Sequence, residues 1–250
     1  KTEDEIELMR EANLLVGKTL AEVGRHVKPG VTTLQLDRIA EEFIRDNGAV
    51  PTFKDFPSPY GPPFPGCICT SVNDVVVHGI PADDVVLKDG DIISVDCGTL
   101  LKGFNGDSCY TFCVGEVSEE VRELLRTTKE SLYKGIEVAQ AGHHVGDIGQ
   151  AVQDYCQERG YGIVRELTGH GIGREMHEDP PVPNYGMCIA IEPMVTMGSR
   201  EIAMLPDRWS IVTLDRLPAA HFEHTIAVRA GKADILSSFE EIEHLERQNF

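Results

Sequence analysis

The sequence lacks the features that mark membrane-spanning or disulfide-bonded secreted proteins. No apolar run approaches the roughly 18 residues that cross a bilayer, and the residues after Lys1 include no apolar stretch typical of a signal peptide. The seven cysteines show no C-x-x-C spacing, with Cys67 and Cys69 the nearest approach, so a thiolate zinc site is not indicated. We therefore expect a cytoplasmic protein with reduced, mostly buried thiols.

Positive charge is also scarce. Lysine and arginine number 23 against 41 aspartates and glutamates, which gives a formal net charge of −18. Nucleic acid is therefore not expected as a specific partner, because binding phosphates requires a basic surface. The excess of carboxylates suits a protein that gathers cations. The chain of 250 residues is long enough to bury a full core, and we predict a single domain over residues 1–250.

The chain contains an internal duplication, with halves at about 1–117 and 118–235 and a tail at about 236–250. The first half opens with a helical pattern capped by Thr2 and running to about Val27, followed by a second helix whose capping box begins at Thr32. The counterparts in the second half begin near Ser118 and Gly142. Each half is therefore predicted to start with two helices.

Each half then carries a His-Gly-Ile tripeptide, a strand that ends in an acid, and a further strand that carries an acid. The segments around these acids are rich in Val, Ile, Thr and Phe, which favours strands, and Lys102–Gly103 is a predicted hairpin turn. The pattern predicts an α+β fold, with a curved antiparallel sheet and helices on its outer face. The repeated polar groups are His78, Asp96 and Asp107, and then His170, Glu192 and Glu223.

Pseudo-symmetry would bring these six groups to one face of the sheet. Four buried carboxylates repel one another strongly unless they take up protons or bind cations. Two divalent ions would balance their charge. Ligation dominated by oxygen, with one or two histidines, favours Mn, Fe, Co or Zn, and the sequence does not decide among them. Taken alone, each acid is also compatible with a solvated position at the edge of a sheet.

Several motifs carry a resemblance that covers nearly the whole chain. They are NDVVVHGIP at 73–81, TGHGIGREMHEDP at 168–180, IAIEP at 189–193 and FEHTIA at 222–227. Together they resemble the type I methionine aminopeptidases in their short bacterial form. The resemblance implies the pita-bread fold and removal of the initiator methionine from nascent proteins and peptides. A metal-bridging hydroxide would attack the first peptide bond. It also implies a monomer that works near the ribosome.

The resemblance assigns a role to each matching residue. It gives Asp96, Asp107, His170, Glu192 and Glu223 as the ligands of two divalent metal ions. In the same way it gives catalytic roles to His78, which contacts the substrate amide, to His177, which stabilises the tetrahedral intermediate, and to Glu192, which shuttles protons. The methionine pocket would be lined by Phe64, Cys69, Met176 and Trp209. Ordinary core packing remains an alternative for Cys69 and Met176.

The chain departs from the family pattern at two points. The segment between His177 and Glu192 is shorter than expected, with Pro183 running almost directly into Gly186 and Met187, either because the loop is short or because residues were omitted from the sequence. His221 stands where glutamine is usual, two residues before Glu223 and on the same face of a strand. We expect His221 to support the ligands or to contact the substrate.

Three other functions compete with this interpretation. Proline-specific peptidases of the same fold use similar ligands but usually carry an additional N-terminal domain. Type II methionine aminopeptidases carry a long helical insert in the second half, which this sequence lacks. A non-catalytic binding protein that kept the fold would have lost ligands, and all five are present here.

Overall fold

The computed structural model describes residues 1–178 and 188–249. Five helices lie in this part of the chain: α1 (Glu3–Gly24), α2 (Thr33–Asp46), α3 (Glu119–Val138), α4 (Val145–Gln157) and α5 (Glu240–Asn249). The first-half strands are β1 (Val50–Pro51), β2 (Ile68–Val72), β3 (Val75–Val77), β4 (Ile92–Leu101) and β5 (Phe104–Cys113). The later strands are β6 (Gly162–Ile163), β7 (Cys188–Ile191), β8 (Met194–Thr196), β9 (Ile202–Met204), β10 (Ile211–Thr213), β11 (Ala219–His221), β12 (His224–Ala227) and β13 (Asp234–Ile235).

The helices begin where the sequence supplies caps. The Thr2 and Thr32 hydroxyls each accept a hydrogen bond from the third helical residue, and Glu5 and Gln35 complete the two capping boxes. Ser118 caps α3. Helix α1 ends at Gly24, three residues before the predicted end near Val27, because the backbone beyond Arg25 leaves the helix as a turn. In the described residues, no helix combines the length and apolar character of a membrane span.

The strands form four hydrogen-bonded sheets, and every strand ladder among the described residues is antiparallel. The longest ladder joins β4 to β5 through the turn at Lys102 and Gly103, which both have positive φ, as a hairpin turn requires. Helix α1 packs against β4 and β5, and α3 packs against β8 and β11. The predicted α+β class is confirmed. The equivalence of the two halves remains a prediction.

Candidate metal centre

The two halves meet where β5 passes beside the segment that contains β11 and β12. The Glu223 amide donates a hydrogen bond to the Cys109 carbonyl at 3.0 Å, and the Ser108 hydroxyl donates to the Glu223 carbonyl at 2.6 Å. The Thr225 hydroxyl donates to the Asp107 carbonyl at 2.8 Å. These bonds fix the backbone of Asp107 beside that of Glu223. We call this junction between β5 and the segment of β11 and β12, with the acids that it brings together, the seam. One acid from each half of the chain therefore lies beside the other.

Helix α1 supports the seam from the first half. Asn13 is fully buried, and its side-chain oxygen accepts a hydrogen bond from the Asp107 amide at 3.1 Å. Gly106 allows this approach, because a Cβ there would lie 2.6 Å from the Asn13 backbone nitrogen. The sequence contained a signal for this contact in the asparagine among apolar residues on α1. The seam hydroxyls of Ser108 and Thr225 gave no such signal.

A histidine completes a cluster with these two acids. One ligand atom from each of Asp107, His170 and Glu223 lies within 4.8 Å of the other two. The His170 Nε2 atom is 3.5 Å from Asp107 Oδ2 and 3.8 Å from Glu192 Oε1. Asp96 and Glu192 line the same cavity. The structure thus brings together all five predicted ligands, while their role as ligands remains a prediction.

The backbone around His170 orients its ring. The Nδ1 atom lies 3.0 Å from the Gly171 carbonyl, which only accepts, so Nδ1–H donates this bond and Nε2 is the nitrogen that faces the acids. The Ala190 amide donates to the His170 carbonyl at 2.9 Å, which ties the histidine to β7 two residues before Glu192. A histidine whose other nitrogen is held by a carbonyl is the usual arrangement at a metal.

Among the described residues, no lysine or arginine forms an ion pair with the four acids of the cavity. Burial raises the pKa of Asp96, Asp107 and Glu223 well above their ordinary values, and it raises the pKa of Glu192 to about 8. Repulsion from neighbouring acids raises the pKa of Asp96, Glu192 and Glu223 further. The ion pairs of the described residues give these acids only histidine partners.

Several buried atoms of this cluster also have no hydrogen-bond partner within residues 1–178 and 188–249. They are Asp96 Oδ1, Asp107 Oδ1, Glu223 Oε1 and His221 Nε2. Buried carboxylate oxygens without donors are costly unless a cation fills the space between them. The donor set of carboxylates and one imidazole nitrogen therefore fits divalent cations of the Mn, Fe, Co and Zn type.

Three further histidines surround the acids, and all are held uncharged near neutral pH. Burial lowers the pKa of His78 and lowers that of His221 to about 3. Burial, and then His170 at a ring distance of 4.2 Å, lowers the pKa of His177 to about 4. His221 Nε2 lies 3.6 Å from Glu192 Oε2, so it faces a proposed ligand rather than solvent.

All these groups line one cavity of about 330 Å³. Of the predicted residues it is lined by His78, Asp96, Asp107, His170, His177, Glu192 and Glu223, and by the pocket residues Phe64, Cys69, Met176 and Trp209. His221 lines it too. Sequence reasoning missed several apolar residues of the lining, namely Phe53, Phe56, Val77, Leu167 and Met194. Phe53 and Phe56 shortly precede a Pro- and Gly-rich stretch at 57–66, and this was the only signal for them.

One wall of the cavity is apolar and aromatic. The rings of Phe64 and Trp209 meet edge to face at 5.1 Å, and the Trp209 ring meets that of His78 at 6.1 Å. Cys69 lies directly across the β2–β4 ladder from Asp96. Met176 is 5% exposed and also packs in an apolar cluster with α1, so cavity lining and core packing, which the sequence left as alternatives, both apply to it.

The short segment between His177 and Glu192 remains untested. Most of this segment, residues 179–187, lies outside the described residues. The strand that follows, β7, pairs with β12, and Glu192 comes directly after its last residue. The position of Glu192 is therefore set by the pairing of β7 with β12, which lies within the described part of the chain.

Comparison with known proteins agrees with this geometry. The profile of metallopeptidase family M24 matches residues 7–230. The methionine aminopeptidase of Clostridium acetobutylicum is 47% identical over 248 residues, which cover 95% of this chain and 97% of that protein. Methionine aminopeptidase 1 of Bacillus subtilis is 46% identical, with coverage of 95% and 98%. The crystal structure of methionine aminopeptidase from Rickettsia prowazekii matches with a TM-score of 0.90 at 38% identity, covering 95% of this chain and 98% of that one. The resemblance that the motifs predicted is confirmed, and the chain belongs to metallopeptidase family M24.

Proposed function

We propose that this protein removes N-terminal methionine from peptides and nascent proteins. The observation that carries the proposal is the cavity itself, in which five metal-type ligands and three uncharged histidines face an aromatic wall. The similar proteins from C. acetobutylicum and B. subtilis bear the name methionine aminopeptidase, which is consistent with this specificity.

Two divalent cations would be held by the five residues of the centre. His170 would bind through Nε2, and Asp96, Asp107 and Glu223, each with a buried oxygen that has no partner among the described residues, line the same cavity. Such ions lower the pKa of a coordinated water and polarise the carbonyl of the scissile bond. His78 remains outside the ligand set in this proposal, because it lies beside Trp209 in the wall.

The histidines supply neutral hydrogen-bond donors to the substrate. With its pKa lowered to about 4, His177 is uncharged at pH 7 and would donate an N–H to the carbonyl oxygen as negative charge develops there. His78 is uncharged as well and would contact the amide of the first peptide bond. Both side chains line the cavity from opposite halves of the chain.

Glu192 is the proposed proton carrier. Its carboxylate lies between the imidazoles of His170 and His221, at 3.8 Å and 3.6 Å. It would accept a proton from the attacking water and deliver it to the leaving amine. Only a substrate with a free, uncharged α-amine would offer a nitrogen lone pair to the cations that these residues hold, and this would restrict cleavage to the first residue. The methionine side chain would lie against Phe64 and Trp209.

The remaining expectations are proposals as well. We propose that residues 1–250 form one catalytic domain, that the protein is a cytoplasmic monomer, and that it meets its substrates at the ribosome. Size-exclusion chromatography with light scattering tests the monomer. Co-sedimentation with ribosomes that carry nascent chains tests the partner.

The direct test of function is peptide cleavage with supplied metal. The protein with Mn, Co or Fe should release methionine from Met-Ala-Ser, while an Xaa-Pro dipeptide should remain intact. The Asp107→Asn variant serves as the matched control for a contaminating peptidase. If no metal supports cleavage, the proposed activity is wrong; if only Xaa-Pro bonds are cut, the protein is a proline-specific peptidase.

A further inference from the structure

A loop from the first half forms the aromatic side of the cavity mouth. We call residues 53–65 the pocket loop. Its base is closed by two backbone hydrogen bonds, from the Asp55 amide to the Phe64 carbonyl and from the Phe64 amide to the Phe56 carbonyl, both at 2.9 Å. Phe53, Phe56 and Phe64 line the cavity from this loop. The position of the loop therefore sets the width of the cavity.

The tip of the pocket loop is held from the other half of the chain. Arg208 Nη1 donates to the Tyr60 carbonyl at 2.7 Å, and Trp209 Nε1 donates to the Pro62 carbonyl at 3.0 Å. Two consecutive residues of one turn thus bind two carbonyls of the loop. The Arg208 side chain also lies flat on Gly61, since a Cβ there would meet Arg208 Cδ at 3.1 Å.

Arg208 occupies a backbone conformation that disfavours any side chain other than hydrogen. Its φ of 64° lies in the left-handed region, which glycine adopts freely and arginine does not. Strained backbone of this kind persists where the surrounding contacts hold it, and it is concentrated at functional sites. Arg208 contacts Tyr60 and Gly61 while it holds this conformation. The residue that follows it, Trp209, lies in the cavity wall.

We propose that Arg208 is a positioning residue for substrate selectivity. It fastens the pocket loop to the turn that carries Trp209, so that Phe64 and Trp209 keep the edge-to-face contact that bounds the methionine pocket. The inference rests on the proposed function for its substrate. The mechanical part of the proposal is the structural claim that Arg208 fixes the surroundings of Trp209. This claim rests on the geometry alone and can be tested without an activity assay.

The single tryptophan makes the mechanical part measurable. In Arg208→Gly the strain is relieved and the bond to Tyr60 is lost. We expect the Trp209 emission to shift to longer wavelength and its quenching by acrylamide to increase. The matched control is Arg216→Gly, because Arg216 also has positive φ, 61°, and also donates through Nη1, but to Asp74 and away from the cavity lining. The control should keep the wild-type emission.

The selectivity is tested with peptides of the form Xaa-Ala-Ser, in which Xaa is Met, norleucine, Leu or Phe. For Arg208→Gly we expect KM for the Met peptide to rise about three- to tenfold with kcat nearly unchanged, the range that one lost hydrogen bond supplies. The preference for Met over Leu and Phe should fall. Arg208→Lys, which keeps a donor, should restore part of both values.

The outcomes separate this inference from the proposed function. A wild-type protein that is inactive on every peptide would refute the function, while the fluorescence comparison would still decide the mechanical part. Unchanged Trp209 emission, KM and selectivity in Arg208→Gly would overturn the positioning role. The same changes in Arg216→Gly would also overturn it, because they would then reflect general loosening.

Discussion

The seam and the pocket wall are built in opposite ways. At the seam, Asp107 lies in the long β4–β5 ladder and Glu223 lies between β11 and β12; they are 3% and 2% exposed, and hydrogen bonds from backbone and hydroxyl groups of both halves fix them. At the wall, Trp209 lies in a turn and meets a loop whose tip is held by two side-chain donors. The groups proposed to carry the chemistry thus lie on or beside paired strands, and those proposed to contact the substrate side chain lie in a loop and a turn.

The strongest test of the seam replaces one of its acids. Asp107→Asn should lower kcat/KM for Met-Ala-Ser by at least about 1,000-fold, because charge stabilisation and nucleophile activation by metal are worth several kcal/mol. Metal analysis should show reduced occupancy. The metal-free variant should melt at a higher temperature than the metal-free wild type, since one of four mutually repelling acids is gone. A variant that keeps full metal content and activity would contradict the assignment of Asp107.

The histidines stand between the seam and the wall. His177→Ala should lower kcat by about 100-fold, the usual loss for one donor to a developing oxyanion, while the metal content stays the same. Steady-state kinetics and metal analysis on the same preparation check this. The dependence of activity on pH provides a second check. Because the pKa of His177 is lowered to about 4, the activity it supports should not decline between pH 7 and pH 5 through protonation of this residue. Parallel loss of metal would show that His177 acts at the centre rather than on the substrate.

Loss of a hydroxyl of the seam should weaken metal affinity without changing the activity of the metal-bound protein. Ser108→Ala removes the donor to the Glu223 carbonyl and leaves the ligand side chains in place. We expect metal affinity to weaken about tenfold, in the range for groups that orient ligands, and activity to recover at saturating metal. Competition titration with a chelator measures the affinity. Activity that stays low at saturating metal would mean that the backbone of Glu223 has moved.

Removal of metal should destabilise the seam, and the loss should grow with pH. The pKa of Glu192 in the folded, metal-free protein is raised to about 8, and those of Asp96, Asp107 and Glu223 are raised as well. An acid whose pKa is raised by folding binds its proton more tightly in the folded protein than in the unfolded one. The free energy of unfolding therefore falls as pH rises from the unfolded pKa through the folded pKa. Between pH 7 and 9, where the buried histidines are uncharged in the folded protein, the melting temperature without metal should fall. With Mn it should stay nearly level, and equal slopes would argue against a cation at the seam.

The smallest effect is expected at the wall. Trp209→Phe keeps an aromatic ring but loses the bond to the Pro62 carbonyl. KM for Met-Ala-Ser should rise by about threefold with kcat unchanged, because a neutral, partly exposed hydrogen bond contributes little. A large loss of kcat would instead mean that the wall takes part in the chemistry through His78.

The sequence predicted the local structure and the acids of the centre, but not the hydrogen bonds of the seam or those that hold the pocket loop, and the reason is the range of the interactions. The capping boxes at Thr2 and Thr32 and the hairpin at Lys102 involve neighbours in the chain, so local patterns contained them. The acids of the centre followed from the duplication and the motifs. The bond between Ser108 and Glu223 spans 115 residues, and that between Arg208 and Tyr60 spans 148, with no pattern to mark either. Only the folded structure brings such partners together.

The central claim is that the five residues hold two cations at the seam while His78 remains a substrate contact. Anomalous diffraction from crystals grown with Mn²⁺ tests it most directly. The account predicts two anomalous peaks among Asp96, Asp107, His170, Glu192 and Glu223, with His78 at neither. A single peak, peaks elsewhere, or a metal bonded to His78 would contradict it.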